Sequence, residues 1–214
     1  MENAIQLVFQ IAILLFSVVI HEVSHGYAAL ALGDRTAKQA GRLTLNPIPH
    51  LDPFGSLLLP ALSLLIGGFV FGWAKPVPYN PYNLKNQKWG PALVGAAGPA
   101  ANISLALIFG LTLRFLPDLA NGLGGSFLIN FATIVSIIVF LNLLLAVFNL
   151  IPIPPLDGSK VLFAVMPYEW RGLQMFLEQY GFFLLLLFIF FFFQWLIPVV
   201  FFLFRLITGG LPLL

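Results

Sequence analysis

Four apolar runs, each long enough to cross a lipid bilayer, constrain the fold of this chain more than any other feature. They cover residues 4–32, 91–113, 127–149 and 181–207. The bilayer core holds no water to bond the backbone, so such runs fold as helices. Only 8% of the 214 residues are charged, against about a quarter in soluble domains. The sequence therefore predicts an all-α polytopic membrane protein embedded in the lipid bilayer. We expect a single domain, residues 1–214, with its core at about 4–160.

A fifth apolar stretch, residues 54–72, is interpreted as a re-entrant segment because Pro60 and Gly67-Gly68 interrupt it. If it crossed, the basic residues would divide five and five between the two sides. If it turns back, they divide eight and two, which fits the excess of Lys and Arg in cytoplasmic loops. The larger group is Arg35, Lys38, Arg42, Lys75, Lys85, Lys88, Lys160 and Arg171, and the smaller is Arg114 and Arg205. The C-terminal ends of the first and third apolar runs should then face the cytoplasm, with the chain embedded in the cell membrane.

The remaining segments carry weaker signals. The re-entrant and extended part is expected to cover residues 54–90, because prolines interrupt it repeatedly. The sequence GRLTL at 41–45 could form a short strand. Residues 159–180 mix charged and apolar side chains, which is typical of an interfacial helix. The last span is expected to bend at Pro198.

The motif His21-Glu22-Val23-Ser24-His25 lies inside the first apolar run. H-E-x-x-H on a helix places two imidazoles one turn apart, where both can bind one Zn²⁺, and sets the glutamate beside them as a base. Ionisable groups at such depth are costly and usually mark function. The sequence therefore predicts one zinc ion bound by His21 and His25, with Glu22 as the catalytic base. The chain has no cysteine, which excludes thiolate ligands.

A third protein ligand is needed, because a catalytic zinc site has three and keeps a position for water. The candidates are His50, Asp52 and Asp157. We favour Asp157, because it follows a helix break in an apolar neighbourhood, where prolines could turn it back toward the first helix. The alternative for Asp157 is a helix N-cap. His50 and Asp52 lie in a polar loop, where bracing the loop is the simpler role.

Three motifs together resemble the site-2 protease family of intramembrane zinc metalloproteases. They are HEVSH at 21–25, GPAAN at 98–102 and NLIPIPPLDG at 149–158, in the order typical of that family. The resemblance implies His21, His25 and Asp157 as zinc ligands and Glu22 as general base. It also implies that Asn102 helps to bind the substrate, although an interhelical hydrogen bond is the alternative. The chain resembles compact members that have neither a PDZ-like insertion nor a nucleotide-sensing domain.

The expected function is zinc-dependent hydrolysis of peptide bonds in a transmembrane protein substrate near the cytoplasmic side. The segment around WAKPVPYN, or GRLTL, could receive the unwound substrate strand by edge pairing. A membrane metal-binding or transport protein using the same histidines and aspartate is the main alternative, and an inactive scaffold is a third. A net charge of +2 gives no indication of a nucleic-acid partner. The oligomeric state and the identity of the substrate are left open.

Overall fold

The computed structural model describes residues 2–58, 74–119 and 125–210 of the chain. Across these ranges the chain is helical and forms no strand. Short 3₁₀ turns and a π-helical turn at Pro53–Leu58 connect the α-helices. The α-helices in the described ranges are α1 (Glu2–Ala31), α2 (Thr36–Gln39), α3 (Gly90–Leu119), α4 (Gly125–Asn149), α5 (Asp157–Val165), α6 (Arg171–Phe192) and α7 (Leu196–Thr208).

Four helical stretches are long and apolar enough to cross a membrane, which confirms the predicted all-α polytopic fold. They are Val8–Ala31, Gly90–Phe115, Leu128–Asn149 and Tyr168–Thr208. Large apolar side chains on these helices, such as Phe190 and Phe202, are exposed in the isolated chain. Such an outward-facing apolar surface is what a helix bundle presents to lipid tails.

Helix α3 lies at the centre of the bundle. It packs against α1, α4, α5 and α7. Its contact with α4 and α7 forms the main apolar core. That core consists of Ala106, Leu113, Val135, Val139, Leu143, Val200 and Phe204.

The chain leaves α1 and enters α3 at the same end of the bundle. Gly33, with a φ of 112°, ends α1, and the N–H of Asp34 donates to the carbonyl of Ala29. The N–H of Lys85 then donates to the carbonyl of Leu32 at 2.9 Å, which brings the chain back beside that end. The predicted turn within residues 54–72 lies outside the described residues, apart from 54–58.

Two local predictions from the sequence were wrong, and the bend expected at Pro198 lies in the turn before it. GRLTL forms no strand; instead the guanidinium of Arg42 binds the carbonyls of Lys75 and Pro76. The single helix expected at 159–180 is interrupted, because Pro167 holds Met166 in an extended conformation. The last span breaks at Phe193–Trp195, one turn before Pro198, because a proline ring clashes with the carbonyl four residues earlier.

Candidate metal centre

The two histidines of HEVSH lie one turn apart on α1 and face α3. Both are buried, and their rings are nearly perpendicular with centroids 4.7 Å apart. The residue opposite them is Gly98. A Cβ atom added to Gly98 would lie 2.5 Å from Nε2 of His25 and 2.6 Å from Nε2 of His21. Because residue 98 is a glycine, the space next to both Nε2 atoms stays open.

Asp157 brings the third donor to this space. It is the first residue of α5, and its Oδ2 lies 3.1 Å from Nε2 of both His21 and His25. The tight turn after α4 depends on Gly158, where any Cβ would collide with the carbonyl of Leu150. The structure thus brings together the three residues that the sequence predicts as metal ligands.

Hydrogen bonds on the far side of each ring set the tautomers. Nδ1 of His25 donates to the carbonyl of Val94 at 2.6 Å, and Nδ1 of His21 donates to Oδ1 of Asn102 at 2.5 Å. A neutral imidazole that donates from Nδ1 carries its lone pair on Nε2. Two such lone pairs and the carboxylate of Asp157 would repel one another unless a cation, either a proton or a metal ion, lies among them.

This donor set fits zinc. Two imidazole nitrogens and one carboxylate oxygen are a known ligand set of catalytic zinc sites, and outer hydrogen bonds of this kind orient the imidazoles. Burial would raise the pKa of Asp157, but hydrogen bonds donated by the Nε2–H of a protonated imidazole, together with the charge of Lys160, hold that pKa well below its usual range. Asp157 is therefore ionised, as a metal ligand must be.

Glu22 lies beside the two histidines and is held by a backbone group. One ligand atom from each of His21, Glu22 and His25 lies within 4.8 Å of the others. Oε2 of Glu22 accepts a hydrogen bond from the N–H of Val77 at 2.8 Å. Because Pro76 and Pro78 flank Val77 and have no N–H, Val77 offers the one backbone donor of this tripeptide.

The segment that carries Val77, residues 74–80, is fixed along its length. The N–H of Lys75 donates to the carbonyl of His50, and the N–H of Asn80 donates to Oδ2 of Asp34. The guanidinium of Arg42 donates hydrogen bonds to the carbonyls of Lys75 and Pro76. These bonds use the N–H groups of Lys75, Val77 and Asn80 and the carbonyls of Lys75 and Pro76, and strand pairing between this segment and a substrate stays a prediction.

Asp34 anchors the far end of this segment. It is fully buried and accepts hydrogen bonds from the backbone of Thr36 and Asn80 and the side chains of Thr36 and Asn83. Burial would raise the pKa of Asp34, but these hydrogen bonds outweigh it and hold the pKa below its ordinary value. The ionised carboxylate of Asp34 thus joins the end of α1 to Asn80 and Asn83, which lie shortly before α3.

Asn102 lies behind His21. It is fully buried, and its Nδ2 donates to Oδ1 of Asn142 at 2.7 Å and to the carbonyl of Ser17 at 3.3 Å. Asn142 donates in turn to Oγ of Ser17 at 2.9 Å. These contacts are interhelical hydrogen bonds, the alternative role that the sequence suggested for Asn102. Substrate binding by Asn102 stays a prediction.

His50 and Asp52 make hydrogen bonds within their own loop. Nε2 of His50 lies 3.0 Å from the carbonyl of Thr44, and Oδ1 of Asp52 accepts from the N–H groups of Phe54 and Gly55. This is the bracing role that the loop position suggests. Neither side chain takes the place beside the imidazoles that Asp157 occupies.

Sequence reasoning did not single out four residues that shape this site. Gly98 makes room for it, Lys160 contacts Asp157, and Ser17 and Asn142 complete the network behind His21. A signal was present for two of them, because a polar residue inside a membrane span commonly faces another helix. Gly98 was noticed only as part of a motif and as a small residue at a helix contact.

Known proteins resemble this chain over most of its length. Residues 118–192, which contain Asp157, match peptidase family M50. YwhC of Bacillus subtilis, described as a candidate zinc metalloprotease, is 43% identical over 173 residues, which are 79% of this chain and 74% of YwhC. Rip2 of Mycobacterium tuberculosis, with the same description, is 31% identical over 194 residues, 90% of this chain and 71% of Rip2. The zinc metalloprotease MJ0392 of Methanocaldococcus jannaschii is 26% identical over 174 residues, 81% of this chain but 39% of that protein. No solved structure matches the chain.

Proposed function

This chain belongs to peptidase family M50, and on that premise we propose that it is an intramembrane zinc endopeptidase that cleaves transmembrane proteins near the cytoplasmic side. Membership of the family makes it a zinc-dependent metalloendopeptidase; the membrane substrate and the side are our inference. The observation that carries the proposal is the convergence of His21 Nε2, His25 Nε2 and Asp157 Oδ2 between apolar helices. Metal transport by the same residues is not favoured, because the relatives are described as proteases.

The depth of the site supports a substrate inside the membrane. Counted along α1 at 1.5 Å per residue, His25 lies about 9 Å and His21 about 15 Å from the end of the helix at Ala31. A peptide bond that reaches the site must therefore lie below the level at which this helix ends. We expect the substrate to be a membrane-spanning helix that unwinds locally before cleavage.

The distribution of charge supports the cytoplasmic side. Arg114 lies 16 residues after Gly98 on α3, about 24 Å farther along the helix. Its guanidinium reaches the carbonyl of Leu206, next to Arg205. The two arginines assigned to the non-cytoplasmic side therefore lie together, at the end of the bundle away from the histidines, as the positive-inside argument requires.

The residues of the chain have distinct roles in the proposed reaction. Zinc held by His21, His25 and Asp157 would polarise the scissile carbonyl and acidify a water molecule. Glu22 takes the proton from the attacking water and delivers it to the leaving nitrogen. The N–H of Val77 holds one carboxylate oxygen of Glu22, so the base is oriented by segment 74–80 and not by a flexible side-chain partner.

The decisive experiment compares Glu22→Gln with Asp157→Ala in purified protein reconstituted into liposomes with a membrane-spanning substrate. We expect Glu22→Gln to keep its zinc and lose cleavage, because the amide cannot accept the proton. Asp157→Ala should lose both zinc and cleavage. Full activity in Glu22→Gln would refute the assignment of the base, and unchanged zinc content in Asp157→Ala would refute the ligand set.

A further inference from the structure

Lys160 approaches the metal centre from the side of Asp157 that faces away from the histidines. It lies one turn after Asp157 on α5, and its Nζ donates to Oδ1 of Asp157 at 2.9 Å. The two oxygens of this carboxylate are thus divided, with Oδ2 toward the imidazoles and Oδ1 toward the ammonium. Hydrogen bonds between charged groups are stronger than neutral ones, so this contact can fix the rotation of the carboxylate.

The surroundings of Lys160 hold its side chain in one path. The stem passes over Gly95 of α3, where an added Cβ would lie 2.9 Å from Cδ and 3.1 Å from Cβ of Lys160. The ammonium lies 5.5 Å from the centre of the Tyr79 ring, within the range of a cation–π interaction. A glycine gap, an aromatic face and a carboxylate therefore direct the ammonium to a single place.

We infer that Lys160 is a positioning residue of the metal centre, which holds Asp157 with a single oxygen turned toward the histidines. This inference rests on the proposed ligand set. Metal ligands are oriented by the hydrogen bonds that their other atoms make, and loss of such an outer partner typically lowers metal affinity 10- to 100-fold. For His21 and His25 those partners are Asn102 and Val94, and Lys160 is the corresponding partner of Asp157.

The same lysine links the ligand to the base. Tyr79 belongs to segment 74–80, and two residues earlier Val77 holds Glu22. Lys160 therefore joins α5, which carries Asp157, to the segment that orients Glu22. A change at Lys160 should disturb zinc affinity first and the rate of cleavage as a consequence.

The test measures zinc affinity by competition with a chelator in purified protein, with thermal unfolding of each variant recorded alongside. Lys160→Met keeps the length of the stem and removes the charge, and we expect its zinc affinity to fall about 10- to 100-fold. Lys160→Arg keeps a positively charged donor on a larger, planar group, and it should retain more zinc affinity than Lys160→Met. Lys38→Met, on the exposed helix α2, removes one positive charge away from the contact and should change nothing.

Two further variants make the outcome unambiguous. Lys160→Gln removes the positive charge but keeps a polar side chain; it should also lower zinc affinity, which provides a readout even if Lys160→Met folds poorly. In the double variant of Asp157→Ala and Lys160→Met, zinc affinity should equal that of Asp157→Ala alone, because Lys160 acts through Asp157.

The failure of this inference differs from the failure of the proposed function. If Asp157→Ala loses zinc while folded Lys160→Met binds it as wild type does, the positioning role is wrong and the ligand set stands. If Asp157→Ala itself binds zinc normally, the ligand set is wrong. Loss of affinity in Lys160→Arg equal to that in Lys160→Met would also overturn the inference, because a donor at this position would then not matter.

Discussion

Replacing Gly98 by alanine adds one methyl group at the point where the two imidazoles converge. The new carbon would lie 2.5 Å from Nε2 of His25 and 2.6 Å from Nε2 of His21, whereas ordinary contacts of this kind are about 3.5 Å or longer. One or both rings must therefore move by about 1 Å. Zinc–ligand distances tolerate roughly 0.2 Å, so the displacement exceeds the tolerance several-fold.

We expect Gly98→Ala to lose at least about 100-fold in zinc affinity, equivalent to about 2.8 kcal/mol. The assay is chelator competition in detergent, combined with cleavage of a membrane-spanning substrate. Gly110→Ala is the matched control, because it lies on the same helix and its methyl group would meet only the side chain of Ile207 at close range. That control is about 18 Å from Gly98 along α3 and should bind zinc normally. A folded Gly98→Ala protein with zinc affinity within threefold of wild type would refute the reasoning.

Three other perturbations follow from the contacts of the site. Val77→Pro removes the N–H that holds Glu22, while Val77→Ala keeps it. We expect the proline variant alone to show at least a tenfold lower kcat, with unchanged zinc content. Equal rates in the two variants would contradict the role of this N–H. Asn142→Leu removes the closer acceptor of Asn102 Nδ2 and the donor to Ser17 Oγ, and should reduce the free energy of unfolding by about 1–3 kcal/mol, measured by denaturation in detergent. Because hydrogen bonds lower the pKa of Asp34, its contribution to stability is fully present above the ordinary Asp pKa of about 3.9 and disappears as the pH falls through the lower folded-state value. The difference in unfolding midpoint between wild type and Asp34→Ala should therefore shrink on acidification, and a difference that grew would show the sign to be wrong.

The sequence predicted the helices well because lipid leaves the backbone few alternatives. The ends of α1 and α4 fall within two residues of the expected spans, while α3 begins within one residue of its span and ends six residues beyond it. The two histidines share a face because four residues make about one helical turn. Asp157 could be proposed as a ligand because topology brings the ends of α1 and α4 to one side. These inferences depend on periodicity and chain direction, which a sequence records.

Other features depend on how the helices are rotated against one another, which a sequence does not record. Gly98 lies opposite the histidines, and Lys160 passes over Gly95, only because α3 presents that face to α1 and α5. The breaks at Met166–Pro167 and at Phe193–Trp195 illustrate a different limit. Composition suggested one continuous helix at 159–180, and in the last span the expected bend lies a turn before Pro198; in both places the local effect of a proline decided where the helix ended.

The network of Ser17, Asn102 and Asn142 has a consequence for the order in which the protein matures. Lipid tails are as apolar as the helix surfaces, so packing and interhelical hydrogen bonds must select the angle between the helices. Hydrogen bonds among Ser17, Asn102 and Asn142 join α1, α3 and α4 at a single level and fix the angle between these helices. Asn102 also accepts a hydrogen bond from Nδ1 of His21, so the same network orients that ring. The packing of the bundle thus orients this histidine through bonds between its own helices. We expect zinc to be acquired by a finished fold, late in biogenesis, rather than to template it.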